Sequence, residues 1–134
     1  MGLIVDTCVW LGFVAGEVSS QAIGEVAGTD AVFISAVSLG ELHLGVCGCR
    51  DPAERAERAA ILRQLELRPV VAITARTATA FGWLAASVKQ SGRSPRPRYN
   101  DLWIAASAIE HGHTLLTRNG SDFLDLPGLK LAIV

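Results

Sequence analysis

Four acids stand where this chain can be expected to pass from one element to the next: Asp6, Glu41, Asp101 and Asp122. Asp6 directly follows the apolar run Gly2–Val5, and Asp101 precedes the apolar stretch Leu102-Trp103-Ile104-Ala105-Ala106. Glu41 falls inside a helical pattern with Val37, Ser38, Leu44 and Gly45 at neighbouring positions. A carboxylate on so apolar a helix cannot be buried without a partner. Asp122 follows Thr117-Arg118-Asn119. Each acid also has a plain structural reading. Asp6, and Asn100 or Asp101, suit helix caps. Glu41 suits a solvent stripe, and Asn119-Gly120-Ser121-Asp122 suits a turn. Taken together they suggest one crowded acidic pocket. Carboxylates within a few Å repel one another and raise their own pKa values. A hard divalent cation with oxygen ligands, Mg²⁺ or Mn²⁺, relieves that repulsion. Such a site suits phosphodiester hydrolysis: the ion polarises phosphorus and acidifies a bound water, and a carboxylate orients or deprotonates that water.

The elements that must carry these acids alternate. Gly2–Val5 reads as a buried strand, Thr7–Val14 as a short helix, and a second helix runs from Ser19 or Ser20 to about Ala27. Ala31–Ile34 is a second buried strand, and Ser35 caps a helix over Ala36–Gly48. Asp51-Pro52 starts a helix to about Leu65, Leu67–Ile73 is a third strand, and Thr74–Ser91 is a long helix. Gly92–Asn100, with three Arg and two Pro, reads as an exposed, stiff loop. Asp101–Glu110 is a helix closed by Gly112, Thr114–Thr117 a fourth strand and Leu129–Ile133 a fifth. Short apolar strands alternating with helices imply a single α/β domain over residues 1–134, with a central parallel sheet of four to five strands and helices on both sides. Ligands then bind beyond the carboxyl ends of the strands, where the acids fall.

Composition narrows the class. With 134 residues, 50% hydrophobic and 19% charged, the chain is neither disordered nor, at net charge −1, a uniformly basic nucleic-acid binder. Its charge is uneven, however. Ten of the twelve Lys and Arg lie between residues 50 and 98 with only four acids, a net of +6, which leaves −7 to the rest. That asymmetry suits a polyanion contacted in the middle and a cation held elsewhere. Three cysteines, Cys8, Cys47 and Cys49, and no signal-like or membrane-spanning run lead to the expectation of a cytoplasmic protein.

The segments Leu3-Ile4-Val5-Asp6-Thr7, Ile34-Ser35-Ala36-Val37-Ser38-Leu39-Gly40-Glu41-Leu42, Asn100-Asp101-Leu102-Trp103-Ile104-Ala105-Ala106 and Leu116-Thr117-Arg118-Asn119-Gly120-Ser121-Asp122-Phe123 resemble, in order, the four signature blocks of PIN-domain proteins. Among these the chain is most similar to VapC toxins of bacterial toxin–antitoxin pairs. The resemblance implies a Mg²⁺- or Mn²⁺-dependent endoribonuclease, inhibited by a VapB-type antitoxin and expected to form a homodimer. It carries Asp6, Glu41 and Asp101 onto the family's acidic metal-site positions, with Asp122 as a further catalytic acid. Thr7 and Thr117 match supporting hydroxyls. Asn119 stands where relatives often have Asp; either it ligates or positions a water through its amide, or Asp122 supplies the missing charge.

Arg93, Arg96 and Arg98, on the Pro-stiffened stretch just before Asp101, suit phosphate clamping, with Tyr99 available to stack on a base. An antitoxin is expected to cover the acidic edge with a basic or aromatic segment. Cys47-Gly48-Cys49 with His43 offers soft ligands for zinc if His111 or His113 joins them, but small residues at a helix end are the commoner meaning. Trp10, Trp83 and Trp103 suit core or subunit interface. Two other classes compete. An inactive PIN-like or receiver-like acidic-pocket binding domain would need, for the receiver case, an Asp ending the third strand, where Ile73-Thr74 stands. A nucleotide-binding module would need a Gly-rich loop after the first strand, where Asp6-Thr7-Cys8 stands.

Overall fold

The run Gly2–Val5 forms strand β1, and all four of its residues are buried in the computed structural model, which describes residues 2–134. A strand covered on both faces belongs in the middle of a parallel sheet. β1 is flanked by β2 (Ala31–Ser35) and β4 (Thr114–Thr117), with β3 (Val70–Val71) and β5 (Lys130–Ile133) outside them. The order is β3-β2-β1-β4-β5, and every pairing is parallel. Six α-helices connect the strands among the described residues: α1 (Thr7–Val14), α2 (Ser20–Ala27), α3 (Ala36–Cys47), α4 (Pro52–Leu65), α5 (Ala75–Gln90) and α6 (Tyr99–His111).

Alternation along the strands divides the core in two. Leu3, Val5, Ile34 and Leu116 face a cluster completed by Val9 and Trp10 of α1, Ile23 of α2, Leu42 of α3 and Leu62 and Leu65 of α4. Ile4, Val71 and Leu115 face the other side, closed by Leu84 and Val88 of α5, Leu102, Ala105 and Ala106 of α6, and Phe123. Truncating any of the fully buried leucines to Ala should cost about 2–5 kcal/mol.

The helix starts follow the predicted caps. Side chains of Ser19, Ser35 and Asp51 accept from backbone N–H groups in the first turns of α2, α3 and α4. Thr74 and Thr77 form a reciprocal capping box on α5. Gly112 ends α6 at φ +67°, a left-handed position that suits Gly.

Several boundaries differ from the sequence expectation, most of them by a single residue. β3 shrinks to two residues because it is an edge strand: Leu67 and Ile73 are exposed, and Pro69 contributes only its carbonyl, accepting from Ile34 N–H (3.1 Å). β5 begins one residue late, at Lys130. α6 begins at Tyr99 rather than Asp101, continuing a 3-10 turn over Arg96–Arg98, so neither Asn100 nor Asp101 caps it. The tryptophans separate by environment. Trp10 is fully buried, edge-on to Phe13 and under the Arg68 guanidinium. Trp103 stacks on Phe81 at 3.9 Å between centroids, and Trp83 is exposed. No helix among the described residues is long and apolar enough to cross a membrane.

Candidate active site

Register alone begins to assemble the site. Val5 lies opposite both Ile34 and Leu116, so the residues that follow (Asp6, Ser35 and Thr117) sit side by side at the carboxyl edge of the three central strands. Asp6 is nearly fully buried and its carboxylate is fully engaged. Oδ1 accepts from the Thr7 backbone N–H (2.8 Å), which caps α1. Oδ2 accepts from the Thr117 hydroxyl (2.8 Å) and the Cys8 thiol (3.1 Å). The cap reading and the site reading of Asp6 therefore both hold, one oxygen each.

Glu41 reaches the same edge from α3. The Thr7 hydroxyl donates to Glu41 Oε1 (2.8 Å). Its single proton being spent there, it accepts from the buried Ser38 hydroxyl (2.8 Å). Ser38 and Glu41 are three residues apart and share one helix face, which removes the solvent-stripe reading of Glu41. Thr117 is wired likewise: it donates to Asp6 and accepts from the Asn119 backbone N–H (3.1 Å). Asn119 thus enters through its main chain. Burial, with the Asp6 charge, pushes the Cys8 thiol up, so it remains a protonated donor to Asp6.

Asp101, in the first turn of α6, is in the opposite condition. No hydrogen bond to its side chain is found among the described residues. Its carboxyl is pushed up from 3.8 to about 6, first by burial, then by the charges of Asp6, Asp122 and Glu41 in that order; Arg98 opposes them. Three acids far from one another in sequence therefore act on Asp101 here, an arrangement that suits a hard cation. No three of them are drawn about one point tightly enough to form a ready ligand set among the described residues. The oxygen-only carboxylate chemistry fits Mg²⁺ or Mn²⁺, and closing the set on an ion requires side-chain movement.

The basic loop departs from expectation. Arg98 is not solvated. Its guanidinium takes both oxygens of Asp125 (2.9 Å each) and donates to the Asp122 carbonyl, with the side chain 16% exposed. Arg93 also donates to Asp125. These pairings hold the Asp125 carboxyl below its ordinary range. The bridge ties the start of α6 to the loop after β4, which carries Asp122. Arg96 remains exposed. Sequence reasoning missed Ser38, Cys8 and Asp125. The spacing to Glu41 could have marked Ser38; nothing local marks Asp125, which lies 27 residues from Arg98.

The cysteine and histidine groups do not gather. His43 pairs with Glu66 (2.9 Å), Cys47 is exposed, and His111 stacks on His113, which stacks on Phe33. A separate apolar cavity of about 380 Å³ lies among α1, α3 and α4, lined by Leu11, Leu42, Val46, Ile61 and Leu65. None of the four acids lines it; its carboxylates are Glu54 and Glu57, the former paired with Arg58.

A parallel α/β domain with several carboxylates brought to the carboxyl edge of its central strands is a form that suits a hydrolase. The PIN domain family matches residues 3–129, and the chain belongs to that family. It is 33% identical over 125 residues to Ribonuclease VapC5 of Mycobacterium tuberculosis, covering 93% of this chain and 87% of that protein. It is 27% identical over 140 residues to Ribonuclease VapC of Rickettsia bellii, covering 100% and 97%. Its fold matches the crystal structure of VapBC-5 from Mycobacterium tuberculosis, a member of the VapBC family of toxin–antitoxin systems, at TM-score 0.77 and 26% identity, covering 100% of this chain and 98% of that one. It also matches VapBC2 from Rickettsia felis bound to a promoter DNA fragment, at TM-score 0.84 and 23% identity, covering 100% and 99%.

Proposed function

We propose that this chain is an endoribonuclease, the toxin of a VapBC-type toxin–antitoxin pair, hydrolysing RNA phosphodiester bonds with Mg²⁺ or Mn²⁺. The observation that carries the reading is Asp101, unpartnered and set among the charges of Asp6, Asp122 and Glu41. The names of the relatives support it. Asp6, Glu41 and Asp101 would hold the ion, with Asp122 or the amide of Asn119 completing the set. Bound there, the ion supplies positive charge to a phosphoryl oxygen and acidifies a water. The chain's own residues do the rest. Thr117 and Cys8 fix the rotamer of Asp6, and Ser38 acting through Thr7 fixes that of Glu41. Asp101, free of such bonds, is left to orient the attacking water and take its proton. The competing reading, an inactive or receiver-like acidic-pocket domain, rests on Asn119 alone. The sheet order 3-2-1-4-5 also differs from the 2-1-3-4-5 order of receivers.

The partners follow from the charge. Acids crowded at one edge favour an antitoxin that presents a basic or aromatic segment there, in a cytoplasmic complex built on a homodimer. Purified protein incubated with total RNA in Mg²⁺, Mn²⁺ or EDTA, beside Asp101→Asn, tests the reading. Discrete cleavage with either metal, lost in EDTA and in the variant, is expected. Folded wild-type protein that cuts no RNA in either metal would overturn it.

A further inference from the structure

Part of the basic segment is taken up by its own neighbours. Arg58 pairs with Glu54, Arg68 lies over Trp10, Arg55 donates to the Cys49 carbonyl, and Arg98 is bound by Asp125. Arg50, Arg63, Arg76, Lys89 and Arg96 have no ion-pair or hydrogen-bond partner among the described residues, and of these Lys89 and Arg96 lie together. Both line an open concavity of about 570 Å³ between the end of α5 and the start of α6, together with Gly92, Arg93 and Tyr99. Lys89 comes from the last turn of α5. Gly92, at φ +88°, reverses the chain so that Arg93 and Arg96 return to the same hollow, and any other residue would be strained there. No acid lines it; the nearest is Asp125, which Arg93 shares with Arg98.

The hollow also holds an aromatic ring in a fixed place. Tyr99 is 41% exposed, yet its ring packs edge-on against Phe81 at 5.5 Å, and Phe81 is stacked on Trp103. Such a ring loses little freedom when a second ring is laid on it. Tyr99 is also the first residue of α6, two positions before Asp101, about 3 Å back along the axis and turned about 200° around it.

Two cations that bind no protein acid, a third that shares Asp125, and a braced, half-exposed aromatic on the helix that carries Asp101 define a ligand with a phosphate, a base and a continuing backbone. We infer that Lys89, Arg93, Arg96 and Tyr99 form a nucleotide subsite that grips the RNA strand outside the acidic site, phosphate on the cations and base on the Tyr99 ring. This rests on the ribonuclease reading and assigns to that site a strand-holding element distinct from its acids. Arg98, turned onto Asp125, is outside the subsite and serves the geometry of the acidic loop instead. An acidic protein segment would use the cations without needing the ring, so Tyr99 discriminates between the two.

The test compares wild type, Lys89→Ala/Arg96→Ala, Tyr99→Ala and Tyr99→Phe on one short single-stranded RNA that the wild type cleaves. KM and kcat are measured at several salt concentrations, and binding of the same RNA is followed by fluorescence anisotropy in EDTA. The double variant should raise KM about tenfold with kcat within twofold, and lower the log–log salt slope by about 1.4, roughly 0.7 per phosphate contact. Tyr99→Ala should weaken binding at least about fivefold, the lower end for one stacked base, with Tyr99→Phe unchanged. Circular dichroism confirms that the variants are folded. If the wild type cleaves but KM, salt slope and affinity are unchanged in the variants, the subsite is refuted and the ribonuclease reading stands. Loss of antitoxin binding with unchanged RNA binding would likewise refute it. A wild type that cleaves nothing overturns the ribonuclease reading and the subsite with it.

Discussion

Helix α6 carries a shielded carboxylate near each end, and the fold treats the two oppositely. Glu110, at the carboxyl end, has a side chain only 8% exposed. It accepts from the hydroxyls of Thr74 (3.1 Å) and Thr77 (2.6 Å) and lies 3.6 Å from His111 Nε2. Asp101, in the first turn, receives no such bond and faces three other acids. The helix dipole would favour the reverse, since it stabilises an acid at the amino end and penalises one at the carboxyl end. Local partners outweigh it: hydroxyl donors make Glu110 a structural lock between α5 and α6, while burial and like charges leave Asp101 unsatisfied, as the proposed metal site requires. Burial of an acid is therefore no mark of function by itself; burial without donors, among other acids, is.

The largest expected effect separates the two in activity. Asp101→Asn should lower the metal-dependent cleavage rate by about a hundredfold or more, because a metal-site acid is lost. Glu110→Gln should leave kcat within twofold. Equal losses in both would erase the distinction. RNA cleavage kinetics at saturating Mg²⁺ decide it.

A second contrast lies in pH. In the fold Asp101 titrates at about 6, against 3.8 ordinarily, so the folded state holds its proton more tightly than the unfolded chain. Between pH 4 and 6 the unfolded state releases that proton first. The group therefore favours the metal-free fold most at low pH, and this contribution is lost as pH rises through 6. Metal-free Asp101→Asn should melt above wild type at pH 7.5, and the gap should close toward pH 4.5. Melting curves in EDTA across that range check this; a gap that widens on acidification would contradict the like-charge account.

Smaller is the cost of breaking the Glu110 lock. Glu110→Ala leaves Thr74 and the buried Thr77 hydroxyl without their acceptor and should cost about 2 kcal/mol. For a domain of this size that is a Tm lower by roughly 6–10 °C, with little pH dependence between 6 and 8. The smallest effect concerns the bridge between the α6 start and the acidic loop. Asp125→Asn should reduce kcat about three- to tenfold through misplacement of Asp122, with Tm changed by only a few degrees because the pair is partly exposed. Unchanged kcat in that variant would make the Arg98–Asp125 bridge a surface pair and no more.

The layout of the fold was legible in the order of residues alone. Apolar runs bounded by caps and turn residues set β1, α1, α2, α3 and α4 to within a residue, because burial period and cap chemistry are local properties. The parallel sheet followed from strand–helix alternation, and its carboxyl edge gathered Asp6, Glu41, Asp101 and Asp122 in advance of any coordinate. Only the tertiary structure decided how each polar group is partnered. Whether Glu41 faced solvent or Thr7, whether Arg98 met a phosphate or Asp125, and whether Glu110 was idle or a lock depended on residues 27 to 36 positions away. Hydrogen bonds over such separations leave no periodic trace in a single chain. Hydrophobic burial does, because one face of every helix and strand must repeat it.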